Sequence, residues 1–116
     1  MARRALILAA LIAAAGSAAG APAPGWTVYA DCAAAYQVNA RLTDPDRPAA
    51  MTDQISEVAG DYAAAARARY PHSAKAAKAA AGHAVAARIE RQAARLAGKP
   101  REAVEKIIDA CPQPPQ

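Results

Sequence analysis

The chain has 116 residues and a formal net charge of +4 at pH 7, with 14 lysines and arginines against 10 aspartates and glutamates. Apolar residue types make up 54% of it, but 38 residues are alanine, aromatic residues are only 4%, and phenylalanine is absent. So few large apolar side chains can build only one small core, which excludes a large enzyme with a roomy substrate cavity.

The first twenty residues are typical of a secretory signal peptide. Arg3 and Arg4 precede an uncharged apolar run that ends at Ala15, and small residues follow it. The run is shorter than the roughly 20 residues that a membrane-spanning helix requires. We therefore expect a periplasmic or secreted protein, cleaved after Ala19 or Gly20, with no transmembrane segment in the mature chain.

Charge is distributed unevenly after the signal peptide. Residues 21–62 carry a net charge of −4, residues 63–100 carry +7, and residues 101–116 carry −1. Part of the overall basicity therefore belongs to the signal peptide, and the rest is concentrated in the third quarter of the chain.

Apolar residues recur at helical spacing in four segments, which are separated by proline or glycine. No segment shows the alternating pattern of a strand. The sequence predicts an all-α fold, a small antiparallel four-helix bundle with helices at about 27–42, 50–69, 74–97 and 100–111. The domain is expected to span residues 27–111, between an extended lead-in at 21–26 and a disordered tail at 112–116.

Two local features of the bundle depend on single residues. Asp44 or Asp46 is placed to cap the second helix, whose inward side is expected to include Met51. Lys78 lies seven residues before Val85, on the apolar stripe of the third helix. We expect this helix either to overhang the bundle at Lys78 or to bend.

The two cysteines predict one intramolecular disulfide, Cys32–Cys111. Both fall on the inward sides of their helices, and a single cysteine pair in an exported protein is usually oxidised. In the chain-entropy model, a bridge that closes so long a loop stabilises the fold by about 4 kcal/mol. The alternative is a reactive or intermolecular thiol pair, although the two residues lack the close Cys-X-X-Cys spacing of redox enzymes.

Candidate catalytic and metal-binding residues are few. His72 and His83 lie eleven residues apart, about 16 Å along a continuous helix, so they cannot hold one ion. Asp53, Glu57 and Asp61 form an acidic edge on the second helix, which we expect to be a solvated face because a general acid requires a desolvated pocket. The sequence therefore predicts no enzyme activity, no metal and no other cofactor.

A row of cations along the third helix is the most prominent candidate surface. Like charges at three- and four-residue spacing repel each other, which favours an anionic counterpart. This basic row consists of Lys75, Lys78, Arg88, Arg91, Arg95 and Lys99. Its counterpart is either the acidic edge of the second helix or an external partner, namely an acidic protein, a lipid headgroup or a polyanion. Export and the lack of interleaved aromatic residues argue against nucleic acid.

We therefore expect a small exported protein that acts by binding a protein or an anionic component of the cell envelope. A helical domain with Cys32 and Tyr36 on its first helix and Cys111 on its last is also similar to periplasmic immunity proteins that block secreted amidases. That resemblance covers only these positions, and it implies an inhibitor of a secreted cell-wall enzyme. A third hypothesis is an envelope-stress holdase chaperone that exposes apolar surface when the disulfide is reduced or the pH falls.

Overall fold

A computed structural model describes residues 24–71 and 77–114. These ranges contain no strand, and they form four helices: α1 (Trp26–Arg41), α2 (Ala49–Arg69), α3 (Ala77–Ala97) and α4 (Arg101–Asp109). The predicted all-α fold with four helices is confirmed, and the helix bounds agree to within two residues except at the start of α3. Residues 72–76, where that helix was expected to begin, lie outside the described ranges, as does the predicted signal peptide at 1–20.

The loop between α1 and α2 differs from its prediction. The residue that precedes α2 is Pro48, and no side chain caps this helix. Asp44 instead accepts a hydrogen bond from the backbone amide of Asp46, at 3.0 Å, and forms an ion pair with Arg101 at the start of α4. The expectation that Asp44 or Asp46 caps α2 was wrong, because the short carboxylate side chain of Asp44 forms the turn itself.

Helix α1 is central, and each of the other three helices packs against it. Ala30, Ala33, Ala34 and Ala35 are completely buried, although they lie on different sides of this helix. Single methyl groups let neighbouring helices approach closely, so α1 is enclosed by its neighbours with few large side chains of its own.

Three different helices pack against different sides of α1. Tyr29 and Tyr36 contact Tyr62 of α2, and Asp31 pairs with Arg88 of α3. Cys32 is joined to Cys111, two residues beyond the end of α4. Trp26 at the start of α1 meets the end of α2, which makes this pair of helices antiparallel. The fold is therefore a central helix with three helices around it.

All five aromatic residues of the chain lie along the seam between α1 and α2. The ring of Tyr62 lies between Tyr36 and Tyr29, with centroid distances of 5.3 and 6.2 Å. Trp26 and Tyr70 meet edge to face at 5.0 Å. Pairs at such distances contribute about 1 kcal/mol each beyond the area that they bury, so this seam concentrates much of the large-side-chain packing.

Most of the large aliphatic side chains of the core come from the other two partners of α1, and they join Val38 of α1 itself. Val85, Ile89 and Leu96 of α3 are buried, as is Val104 of α4. These residues lie on the apolar stripes that the helical spacing predicted. Lys78 is exposed, and α3 is continuous from Ala77 to Ala97, in agreement with the expectation that this helix overhangs the core at Lys78.

The first turns of α2 also project from the core. Every buried residue of α2 lies between Ala59 and Ala66, and Met51 is 49% exposed. The expectation that Met51 lies on the inward side was wrong, because the packed part of α2 begins two turns later. The acidic edge of α2 is exposed as expected.

Cys32 and Cys111 form the predicted disulfide, with their Cα atoms 5.9 Å apart. Cys32 lies in the buried core, whereas Cys111 follows the last turn of α4. With nine residues, α4 is too short to be a stable helix without tertiary packing. The bridge therefore holds α4 on α1.

The bridge leads to a first prediction, tested with the double variant Cys32→Ala/Cys111→Ala. We expect its free energy of unfolding to fall by about 4 kcal/mol, because the unfolded chain regains the entropy of a loop of about 80 residues. Denaturant unfolding followed by circular dichroism measures this loss. The native protein, measured with and without reductant, is the control. Equal denaturation midpoints for the double variant, the reduced native protein and the oxidised native protein would contradict the prediction.

Tyr62 links the aromatic seam to the C-terminal segment. Its hydroxyl donates a hydrogen bond to the carbonyl oxygen of Pro112, one residue beyond the disulfide. Burial raises the pKa of Tyr62 to about 12, and the neighbouring phenols of Tyr36 and Tyr29 act in the same direction. The protonated phenol is thus favoured in the folded chain over the unfolded chain, where its pKa is about 10.

A second prediction follows for alkaline pH. At pH 8 we expect Tyr62→Phe to lower the free energy of unfolding by about 1 kcal/mol, through loss of the hydrogen bond to Pro112. The raised pKa stabilises the native protein fully below pH 10, and this stabilisation is lost as the pH rises from 10 towards 12. Denaturant unfolding at pH 8, 10 and 11 should therefore show that the difference in free energy of unfolding between the native protein and Tyr62→Phe becomes smaller as the pH rises. A constant difference would count against a buried neutral phenol.

Candidate binding surfaces

The structure divides the predicted basic row into members with different environments. Lys75 lies outside the described residues. Arg88 is half-buried, whereas Lys78, Arg91, Arg95 and Lys99 are exposed. The row is therefore not one uniform surface.

Arg88 is engaged inside the molecule. Its Nε and Nη2 atoms donate hydrogen bonds to the two carboxylate oxygens of Asp31 at 2.8 and 2.9 Å, and its guanidinium lies 5.9 Å from the ring centroid of Trp26. The hydrogen bond with Asp31 raises the pKa of Arg88. Two parallel hydrogen bonds fix the orientation of the guanidinium, so Arg88 fastens α3 to α1.

The internal counterpart of the basic row is thus on α1. The sequence left the acidic edge of α2, Asp53, Glu57 and Asp61, as one of two possible counterparts, and Arg88 pairs with Asp31 and not with this edge. No ion pair within residues 24–71 and 77–114 involves any of these three carboxylates. The acidic first part and the basic third quarter of the chain are therefore only partly paired with each other in the fold.

Apart from Lys78, which is also exposed, three neighbouring cations of the row are available to an external partner. Arg91, Arg95 and Lys99 are exposed, and in the described part of the chain none of them has an ion-pair partner. Arg91 and Arg95 are one helical turn apart, about 6 Å along α3. We name these three residues the exposed cations. Their arrangement can attract an anionic molecule without disturbing the core.

A groove between α2 and α3 forms a second surface. It has a volume of about 530 Å³, with Val85 and Ile89 at its base and alanines of both helices along its walls. Its rim carries Arg41 and Arg67, and Glu90 on the α3 side. A smaller hollow of about 470 Å³ adjoins it at Arg67. We name the larger hollow and this extension the α2–α3 groove.

A third hollow, of about 790 Å³, lies on the other side of α2. Tyr36 and Val58 line it, together with Pro114 of the C-terminal segment. Asp61 and Arg69 contribute charges of opposite sign. This balance gives the hollow no net preference for an anion or a cation, unlike the other two surfaces.

Near these surfaces, the loop before α2 is attached to the start of α4. Arg101 donates hydrogen bonds to the carboxylate of Asp44 at 3.2 Å and to the backbone carbonyl of Thr43 at 2.9 Å. The backbone amide of Asp46 and the side chain of Arg101 lower the pKa of the Asp44 carboxyl. These contacts explain why Arg101 is not available as a free surface cation.

The described residues show no metal site. They contain no group of three histidine, cysteine, aspartate or glutamate side chains that could hold an ion, and His83 is exposed while His72 lies outside them. Within the same ranges, none of the helices combines the length and apolar character needed to span a bilayer.

Comparison with known proteins yields no relative. No protein-family model matches the chain, and no curated protein or solved structure is significantly similar to it. The function must therefore be argued from the residues of this chain.

Arg88 and the exposed cations give a third prediction. We expect Arg88→Ala to lower the free energy of unfolding by about 1 kcal/mol, because it removes a bidentate contact with Asp31 and the packing on Trp26. Arg91→Ala is the matched control on the same helix, and its effect should stay within about 0.5 kcal/mol. A double-mutant cycle with Asp31→Asn isolates the pair. Additive effects of Arg88→Ala and Asp31→Asn would contradict the coupling.

Proposed function

We propose that this protein is a small exported, non-enzymatic binding protein whose exposed cations bind an anionic partner in the cell envelope. The observation that carries the proposal is the contrast within one row of α3: Arg88 is neutralised by Asp31, whereas Arg91, Arg95 and Lys99 face solvent. An acidic protein or another anionic envelope component would supply the missing counter-charge.

The electrostatic argument rests on spacing. Like charges one turn apart destabilise a helix by about 0.2–0.5 kcal/mol per pair, so Arg91 and Arg95 carry a small cost for the isolated protein. A partner that places carboxylates or phosphates opposite them removes this repulsion. Charge clusters also raise association rates at low ionic strength. Binding is therefore expected to weaken as salt is added.

The rest of the fold suits a rigid support for such a surface. Val85, Ile89 and Leu96 anchor α3 in the core, and Arg88 fixes its rotation relative to α1. The Cys32–Cys111 bridge and the N-terminal signal pattern both favour an oxidising compartment outside the cytoplasm. These features support a periplasmic or secreted location.

The fourth prediction tests this surface by charge removal. The mature protein is immobilised and exposed to an envelope fraction at low ionic strength, and each retained component is purified and bound again at several salt concentrations. Arg91→Gln/Arg95→Gln should weaken rebinding about tenfold, since it removes two of the three exposed cations.

Lys106→Glu supplies the matched control, because it changes the net charge by the same amount at an exposed site on α4. It should bind like the native protein. Equal retention by Arg91→Gln/Arg95→Gln would overturn the proposal, and so would turnover of a cell-wall substrate by the purified protein. If the component that binds again is an acidic secreted enzyme, and its activity falls on binding, the result supports the hypothesis that the protein is an inhibitor of that enzyme.

A further inference from the structure

The α2–α3 groove arises from the way the helices surround α1. Nine residues separate Cys32 from Arg41 on α1, so their side chains point to opposite sides of this helix. The bridge at Cys32 fixes α4 on one side, and Arg41 lies in the α2–α3 groove on the other. Within the described ranges, the groove therefore has α2 and α3 as its walls and no helix over it.

The shape of the groove suits a helix. It follows α3 from Ala81 to Ala97, a distance of about 24 Å, which equals about four turns of helix. Its walls are mainly alanine, so the axis of a helix from another molecule could approach to the 8–10 Å that is typical of packed helices. Larger side chains on that helix would fill the space above Val85 and Ile89.

The charges of the rim indicate the chemistry of that helix. The cations that line the groove are Arg41, Arg67 and Lys78, all of them solvent-accessible, and Glu90 is the one acidic residue among its described lining residues. None of the three cations forms an ion pair with another described residue. They are spread along the groove, Lys78 near one end and Arg41 near the other. Several carboxylates along a helix match this spread better than the single headgroup of a lipid.

We propose that the α2–α3 groove binds an amphipathic helix of a partner protein, with acidic residues on both flanks of its apolar stripe. The bound helix would pack its apolar stripe on Val85, Ile89 and the alanine walls, and its carboxylates would pair with the rim cations. This surface is separate from the exposed cations. Arg95 lies nine residues from Ala86, a lining residue of the groove, and thus on the opposite side of α3.

A pair of designed peptides tests the proposal. The first is an 18-residue fluorescently labelled helix with a leucine stripe flanked by glutamates, and the second replaces those glutamates with lysines. Fluorescence anisotropy measures their binding to the oxidised mature protein. We expect the acidic peptide to bind at least tenfold more tightly than the basic one, and Arg67→Glu to weaken it about tenfold while Lys106→Glu leaves it unchanged.

Two alanine variants locate the binding site. Ala94 is an exposed wall residue, so Ala94→Trp obstructs the groove without entering the core, and it should abolish binding of the acidic peptide. Ala50→Trp makes the same change at an exposed position of α2 outside the groove and should have no effect. Circular dichroism verifies that both variants are folded. Arg91→Gln/Arg95→Gln should also leave peptide binding unchanged.

Several outcomes would overturn the proposal. These are equal affinity for the two peptides, no detectable binding of the acidic peptide, or full binding by Ala94→Trp. Displacement of the acidic peptide by an anionic fatty acid alone, with no preference between the peptides, would assign the groove to a lipid. Concentration-dependent dimers that Ala94→Trp abolishes would assign it to a second copy of the chain.

Discussion

The burial of α1 among three other helices is the constraint on which the rest of the structure depends. Alanine makes this burial possible, because its methyl group lets neighbouring backbones approach closely, but it provides few contacts that specify one arrangement. Each neighbour is accordingly fastened to α1 by a distinct interaction. Tyr62 lies between two tyrosines for α2, Arg88 pairs with Asp31 for α3, and the Cys32–Cys111 bridge holds α4.

This construction explains where the binding surfaces lie. Three helices around one leave gaps between neighbours, since α2 and α3 are each positioned by α1 and much less by each other. Large side chains would close such a gap, whereas the alanines along α2 and α3 leave it open as the α2–α3 groove. The same shortage of large residues that limits the core thus creates a shaped surface.

The sequence predicted those features that large or reactive side chains specify. Val85, Ile89 and Leu96 carry a helical period, and two inward cysteines indicated the bridge. Features that depend on alanine could not be predicted in the same way, because an alanine is compatible with core, groove and solvent alike. The central position of α1 and the α2–α3 groove belong to this class. The burial of Met51 was wrongly predicted, because helical phase shows which side of α2 is apolar but not how far along α2 the packing against α1 extends.

Charge placement, too, could be predicted only in part. Periodicity placed Arg88 and Arg91 in one row, but the side of α3 that faces Asp31 is set by packing with α1. Once Arg88, which pairs with Asp31, is left out of the row, the remaining cations can be assigned to a side of α3. Arg91 and Arg95 face one side of α3, while Arg67 and Arg41 rim the groove on the other. One small domain thereby presents two cationic surfaces, of which one is polar and open and the other has an apolar base. A partner that carries only negative charge satisfies the first surface, but the second also requires an apolar stripe.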